Sequence, residues 1–288
     1  MAGSAEELVS LLELEELEVD LYRGSQARTE RQRVFGGQVA AQAVVAATRS
    51  VEEDRAVHSL HSYFLRPGDT TVPIIYDVER IRDGGSFSTR RVVARQHGRP
   101  IYYLTANFQR PEEGFEHQDV MPAVPTPEQG LPLFELARER SVEEAEHWQR
   151  EWAALDVRHV GVTGLGLEED PEHVARARLW IRVNGTLADD PTTQTAAFTY
   201  ASDLTLLGAT LVPHGLHIAS RSLQPASLDH TIWFHRPFRA DEWWLYDQFS
   251  PFAGGARGLA LARVFTQSGE LVATVAQEGL IRRIRPDA

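Results

Sequence analysis

Cysteine is absent from this chain of 288 residues. The absence excludes disulfide bonds, thiolate nucleophiles and cysteine-ligated zinc, and it fits a reducing compartment. The first residues, Met1 to Glu7, have neither the basic nor the apolar part of a secretory signal. We therefore expect a cytoplasmic protein.

Basic residues and long apolar runs are also scarce. Lys and Arg number 29 against 41 Asp and Glu, which gives a net charge of −12. A negative field argues against a nucleic-acid partner, although a local basic patch can still hold a small polyanion. No apolar run approaches the roughly 18 residues that span a bilayer, so we expect no stable membrane insertion. Hydrophobic residues at 42% and charged residues at 24% are typical of a globular protein.

The familiar catalytic motifs are missing as well. The sequence has no G-x-S-x-G, no P-loop, no G-x-G-x-x-G after a strand and no H-E-x-x-H. His214 and His217 are three residues apart, but no third metal ligand is evident, and a loop or helix end explains them better. No histidine stands in a recognisable Ser-His-Asp order. We expect no metal, no cofactor and no covalent hydrolase of the common kinds.

Hydrophobic periodicity divides the chain into two similar units. Residues 34–47 predict a buried helix of small and apolar residues, and residues 58–109 predict antiparallel strands that follow it. Residues 111–132, rich in proline, glutamate and glycine, predict a linker. Further elements are predicted as a helix at 6–14, a strand at 17–21, helices at 133–138 and 142–152, and a strand at 174–183.

The two units share residues at a fixed spacing. Arg66-Pro67 and Arg236-Pro237 lie 170 residues apart, and seven positions are identical at that spacing between Phe64 and Gly85. The shared residues also include Tyr76-Asp77 with Tyr246-Asp247 and Gly84-Gly85 with Gly254-Gly255. The spacing predicts an internal duplication of a unit made of one helix and a curled sheet.

One carboxylate stands out in the second buried helix. Asp190 and Pro191 form a helix start, and Asp203 is predicted in the helix interior among small and apolar residues. An Asp there is unfavourable for the helix and is costly to bury without partners. From the helix alone, Asp203 can also point to solvent or be satisfied structurally.

Two other polar residues occupy notable positions. Strand alternation places Gln277 on the face of Leu271, Ala273 and Val275, which is the inward face unless the register slips. Ser227 precedes a strand that runs to Phe234, and alone it reads as a turn serine.

Together these groups suggest a hydrolytic chemistry. A carboxylate, an amide and a hydroxyl that converge on one point can hold a water, and the carboxylate can take its proton as it attacks a carbonyl carbon. The glycine-opened helix start at Gly36, Gly37 and Gln38 can supply backbone N–H donors to the oxyanion. An activated acyl compound such as a thioester suits this mild catalyst, and no covalent intermediate is required.

At this point the sequence resembles the bacterial acyl-CoA thioesterase II family and its peroxisomal relatives. The likeness covers nearly the whole chain and is carried by several segments in one order. These are Val34-Phe35-Gly36-Gly37-Gln38, His58 to Gly68, Arg82 to Ser88, Tyr200-Ala201-Ser202-Asp203-Leu204, Leu228-Asp229-His230, Trp233 to Pro237, and Gln277-Glu278-Gly279.

The resemblance implies an α+β double hot-dog, in which two tandem copies of a long central helix are wrapped by an antiparallel β-sheet. We divide the chain accordingly into an N-terminal hot-dog at 1–110, a linker at 111–156 and a C-terminal hot-dog at 157–288 that carries the catalytic residues. Asp203 and Gln277 match the family's aspartate and glutamine around the nucleophilic water, and Ser227 stands where the family commonly has threonine. The implied substrate is acyl-CoA, cleaved to CoA and a fatty acid.

The two halves are not equivalent chemically. The first-half position that matches Gln277 falls near Ala106, and residues 39–47 contain no acid that matches Asp203. We therefore predict one active site per chain. Candidate arginines for the CoA phosphates are Arg90, Arg91, Arg257, Arg282 and Arg283.

Two rival functions fit the same scaffold. A hot-dog enoyl-CoA hydratase or dehydratase would need a histidine paired with the acid, and none follows Asp203 at helical spacing. A non-catalytic acyl-CoA-binding protein would keep only the fold. Open sheet edges favour a homodimer or homotetramer.

Overall fold

A computed structural model describes residues 1–284 and divides them into five α-helices and fifteen strands, with short 3₁₀ helices at Pro127–Gln129 and Leu206–His214. The helices are α1 Ala5–Leu12, α2 Gly36–Thr48, α3 Leu133–Arg140, α4 Val142–Trp152 and α5 Pro191–Ser202. The strands are β1 Leu14–Glu18, β2 Leu21–Gly24, β3 Ala56–Phe64, β4 Ile74–Asp83, β5 Phe87–Gln96, β6 Arg99–Gln109, β7 Leu131–Pro132, β8 Leu155–Thr163, β9 Gly166–Leu167, β10 Arg176–Val183, β11 Leu223–Ser227, β12 Asp229–Phe234, β13 Trp244–Gly254, β14 Arg257–Thr266 and β15 Leu271–Arg283.

All strands belong to one sheet, and the two halves meet in its middle. The order is β1-β2-β4-β5-β6-β3-β12-β15-β14-β13-β10-β8-β7, with β11 beside β15 and β9 beside β8. The pair β3 and β12 joins the halves in an antiparallel ladder, in which Leu60 lies opposite Ile232. The structure therefore confirms the predicted double hot-dog.

Helices α2 and α5 lie at the centre, and small side chains allow them to pack closely. Every residue of α2 from Gly37 to Ala47 is buried, and most of these residues are alanine or valine. The start of α2 meets the end of α5, since a Cβ placed on Gly37 would lie only 2.3 Å from the Tyr200 carbonyl oxygen. Glycine is therefore required at this helix crossing.

Equivalent contacts repeat in the two halves, as the duplication predicts. The Tyr76 hydroxyl donates to Gln42 of α2 at 2.7 Å, and the Tyr246 hydroxyl donates to the Ser202 carbonyl of α5 at 2.9 Å. Both tyrosines are fully buried, and each connects a sheet to its central helix.

The first strand was predicted wrongly. Residues 17–21 were expected to form one strand, but the chain turns at Asp20, whose φ of 61° is left-handed, and a hairpin of β1 and β2 results. Aspartate tolerates this conformation better than most residues do. Leu17 and Val19, which suggested the alternation, are exposed.

The segment between the halves is only partly irregular. Helices α3 and α4 lie where helices were predicted, and β8 begins at Leu155, inside the predicted linker, and pairs with β10. The division at 110 and 156 stays a prediction. Within residues 1–284, no helix is both long and apolar enough to cross a bilayer.

Candidate active site

Asp203 lies at the end of α5 and not in its interior, as the sequence had suggested. The helix ends at Ser202, Asp203 is the C-cap residue, and a 3₁₀ helix follows from Leu206. The position at a helix end removes the propensity cost of an interior Asp. The side chain is only 4% exposed, so solvent does not satisfy its charge.

Gln277 lies on β15 and faces inward, as strand alternation predicted. The residue is fully buried, opposite Ala260 of β14, and its Nε2 donates to Asp203 Oδ1 at 2.5 Å. Seventy-four residues separate the two partners along the chain. A charge-assisted hydrogen bond of this kind fixes the carboxylate in one orientation.

Ser227 ends β11 and lies opposite Gly279, two residues beyond Gln277 along β15. It is partly buried, and its side chain lies close enough to Asp203 to lower the pKa of that carboxyl group. The structure therefore brings together all three residues that the sequence singled out for binding water.

The start of α2 faces the same carboxylate. A Cβ placed on Gly36 would lie 2.7 Å from Asp203 Oδ2, and the nearby Gly37 N–H lowers the pKa of this carboxyl group. Gly36 and Gly37 are the first helical residues, so their N–H groups have no acceptor inside the helix. They present the positive end of the helix dipole to the site.

Gln38 is directed elsewhere. Its backbone N–H donates to the Phe35 carbonyl at 3.2 Å, and its side chain donates to Ser25 and Gln26. The structure therefore places Gly36 and Gly37 beside Asp203 and leaves Gln38 as a support for the segment that precedes α2.

Burial dominates the electrostatics of the carboxyl group. It raises the pKa of Asp203 from 3.8 to about 7, against the hydrogen bonds from Gln277, the Gly37 N–H and Ser227, which lower it. A carboxylate with a pKa near neutrality is suited to accept a proton and release it again.

His230 is the residue that sequence reasoning missed. It is fully buried on β12, with Nδ1 4.0 Å from Asp203 Oδ1, and burial lowers its pKa to about 3. No histidine follows Asp203 at helical spacing, and this partner comes instead from a neighbouring strand. Alternation with the buried Ile232 on β12 was the available signal.

Arg90 is excluded from the candidates for CoA binding. Its side chain is 1% exposed, and the guanidinium is held by Ser50 and by Asp83 at 2.7 Å. Arg257, Arg282 and Arg283 are exposed near the end of β15, although Arg257 pairs with Glu278 at 3.0 Å.

Known proteins resemble this chain over almost its full length. Two family models match, described as acyl-CoA thioesterase at residues 169–280 and as acyl-CoA thioesterase N-terminal domain at residues 25–109. Human acyl-coenzyme A thioesterase 8 is 40% identical over 96% of this chain and 88% of its own length. Acyl-CoA thioesterase 2 of Haemophilus influenzae is 39% identical over 98% of this chain and 99% of its own.

Solved structures agree with the fold. The acyl-CoA thioesterase II TesB2 from Mycobacterium marinum has a TM-score of 0.83 and 47% identity, and the match covers 96% of this chain and 98% of that one. A protein of unknown function with a hot dog fold from Alicyclobacillus acidocaldarius, 20% identical, has a TM-score of 0.76 over 96% of this chain and 98% of its own.

Proposed function

Because the chain belongs to the acyl-CoA thioesterase family and hydrolyses acyl-CoA thioesters, we propose that Asp203 is the general base that activates the attacking water. Gln277 and Ser227 hold the carboxylate in place. The observation that carries the proposal is the 2.5 Å contact between Gln277 Nε2 and Asp203 Oδ1, in a buried site where the pKa of the acid lies near 7.

The reaction then proceeds without a covalent intermediate. Asp203 takes one proton from the water as the water oxygen attacks the thioester carbonyl carbon. The tetrahedral intermediate expels the CoA sulfur as the carbon–sulfur bond breaks, and the proton held by Asp203 passes to the thiolate. The products are a carboxylic acid and free CoA, so one water is consumed for each thioester.

The oxyanion forms against the start of α2. Gly36 and Gly37 are the first residues of α2, so their N–H groups have no acceptor inside the helix, and a Cβ on Gly36 would lie 2.7 Å from Asp203 Oδ2. Donors fixed at the place where negative charge develops lower the barrier because they need no reorganisation during the reaction.

The first half supports no second site. Ala106 is buried on β6 at the position that corresponds to Gln277, and its cross-strand neighbour is Arg90. The Arg90 guanidinium fills this region and bonds to Ser50, just past the end of α2. A buried cation and an alanine cannot replace the acid and amide of the second half.

The CoA phosphates require cations at the mouth of the site. Arg257 and Arg282 lie on β14 and β15, close in register to Ser227, and both are exposed. We assign the phosphates to these two arginines. We also place the enzyme in the cytoplasm. We propose that it forms a homodimer or homotetramer, because a sheet with open edges favours association.

The test is release of free thiol, followed with a chromogenic disulfide reagent on acyl-CoA substrates of increasing chain length. We expect turnover by the native chain and a loss of about 10²–10⁴-fold in Asp203→Asn with unchanged folding. An Asp203→Asn variant with near-normal turnover would refute the assignment of the base. Incubation with an enoyl-CoA, assayed for hydrated product, separates hydrolysis from hydration, and binding without thiol release would indicate a non-catalytic protein.

A further inference from the structure

We infer that His230 binds the nucleophilic water, and that its Nδ1 atom accepts a hydrogen bond from the water hydrogen that Asp203 does not remove. The inference rests on the proposed function and adds to it a fourth side chain, which comes from β12. Its basis is the geometry of His230 between Ser202 and Asp203.

The hydrogen bonds of Ser202 determine which nitrogen carries the proton. The Ser202 hydroxyl donates its single hydrogen to the Thr199 carbonyl at 2.9 Å, and we therefore assign its oxygen as the acceptor of the His230 Nε2–H at 2.8 Å. Burial lowers the pKa of His230 to about 3, so the ring is neutral at physiological pH. The proton therefore resides on Nε2, and Nδ1 presents a lone pair.

The Nδ1 lone pair is buried and faces the acid. Within residues 1–284 it has no hydrogen-bond partner, although an unsatisfied buried acceptor is costly. The 4.0 Å between Nδ1 and Asp203 Oδ1 is too long for a direct bond. If a water oxygen lies about 2.8 Å from both atoms, the angle from Nδ1 through the water oxygen to Oδ1 is about 90°, so one water can bridge this separation.

Neighbouring groups fix the ring and the acid independently. The His230 carbonyl accepts from Ser62 of β3 at 2.6 Å, so the strand of the first half holds the backbone of His230. Gln277 Nε2 donates to Asp203 Oδ1 at 2.5 Å, and no group among the described residues donates to His230 Nδ1. The water is the donor that this arrangement requires.

The two acceptors then have different tasks. Asp203, with a pKa of about 7, can take a proton, whereas His230, with a pKa of about 3, can only accept a hydrogen bond. A water with both hydrogens held in this way directs a lone pair away from both side chains, toward the thioester carbon. Near-attack positioning of this kind contributes to the rate of the chemical step.

A matched pair of substitutions separates the two ring nitrogens. The amide of Asn reaches about as far as Nδ1, and the amide of Gln reaches about as far as Nε2. We expect His230→Gln to lower kcat at least tenfold with KM nearly unchanged, and His230→Asn to lose clearly less of kcat than His230→Gln. Equal losses in both variants, or the more active enzyme in His230→Gln, would overturn the inference. In that case the buried Oε1 of Gln277, which also lacks a partner among the described residues, is the available acceptor.

A second measurement uses the native protein and needs no variant. In native protein labelled with ¹⁵N-histidine, long-range ¹H–¹⁵N spectra at neutral pH should show the His230 proton on Nε2 and none on Nδ1. A proton on Nδ1, or a cationic ring, would refute the water-binding role. These outcomes are distinct from failure of the proposed function, which would appear as a native chain that releases no thiol or an active Asp203→Asn variant.

Discussion

At the scale of single residues, the acid at position 203 sets the pH dependence. Because Asp203 acts as a base only when ionised, and its pKa is about 7, kcat should reach a plateau above neutrality and fall about tenfold per pH unit below it. A pH–rate profile of the native enzyme checks this expectation. A profile that is flat from pH 5 to 8 would contradict it.

The same pKa shift affects stability. The unfolded chain releases the Asp203 proton near pH 3.8, whereas the folded chain retains it up to about pH 7. The folded state therefore binds more protons across this interval, and stability should fall as the pH rises through it. Asp203→Asn should lack this contribution, and at pH 8 it should melt at a higher temperature than the native chain. An equal or lower melting temperature would contradict the expectation.

Gln277 should shift the profile in a predictable direction. Its hydrogen bond lowers the pKa of Asp203, so Gln277→Leu, which preserves much of the volume, should move the acidic limb upward by about one pH unit. The variant should also turn over at least tenfold more slowly at pH 7. A lower rate with an unmoved profile would mean that Gln277 acts on the substrate and not on the acid.

Sequence reasoning singled out Asp203 and Gln277 but not the histidine beside Asp203. Gln277 was predictable because alternation along a long strand places it with apolar neighbours on one face. His230 obeys the same alternation on β12, but its relation to Asp203 depends on how that strand lies against the end of α5. The distance between His230 and Asp203 cannot be read from their spacing in the sequence, because tertiary packing determines it.

At the scale of elements, the entrance of α2 should be sensitive to any side chain. A Cβ on Gly36 would lie 2.7 Å from both Asp203 Oδ2 and the Phe64 ring, atoms of side chains that can shift, so Gly36→Ala should fold but lose at least tenfold in kcat. Gly37 is a poorer choice, because its Cβ would meet the Tyr200 backbone.

Gly85→Ala provides the matched control. A Cβ there meets no atom within 4 Å, so its activity and melting temperature should stay close to native values. Thiol release and thermal unfolding of the two alanine variants decide the matter. Equal activities would remove the α2 start from the oxyanion proposal.

The helices and strands were predicted correctly where the hydrophobic periodicity was long, and the prediction failed where it was short. The buried helices and the strands after them were located within a few residues, because their patterns extend over ten positions or more. The single strand at 17–21 was wrong because a left-handed Asp20 interrupts a five-residue alternation. The end of α5 before Asp203 was missed because apolar residues continue into the 3₁₀ helix at Leu206–His214.

At the scale of the whole molecule, two similar halves should provide one binding site. Isothermal titration of Asp203→Asn with an acyl-CoA should give one equivalent per chain, since Arg90 and Ala106 occupy the corresponding region of the first half. The catalytically impaired variant keeps the ligand intact during the titration. Two equivalents per chain would refute the assignment of a single site.

The ladder between β3 and β12 has a consequence for how this architecture can change. In a symmetric pair of identical single units, every substitution would appear twice, so a residue that improves one cavity would also alter its twin. Here the two copies are covalently fused, and each position is inherited separately. One copy can therefore fill its cavity with packed side chains and contribute rigidity, while the other keeps the polar groups that the reaction requires.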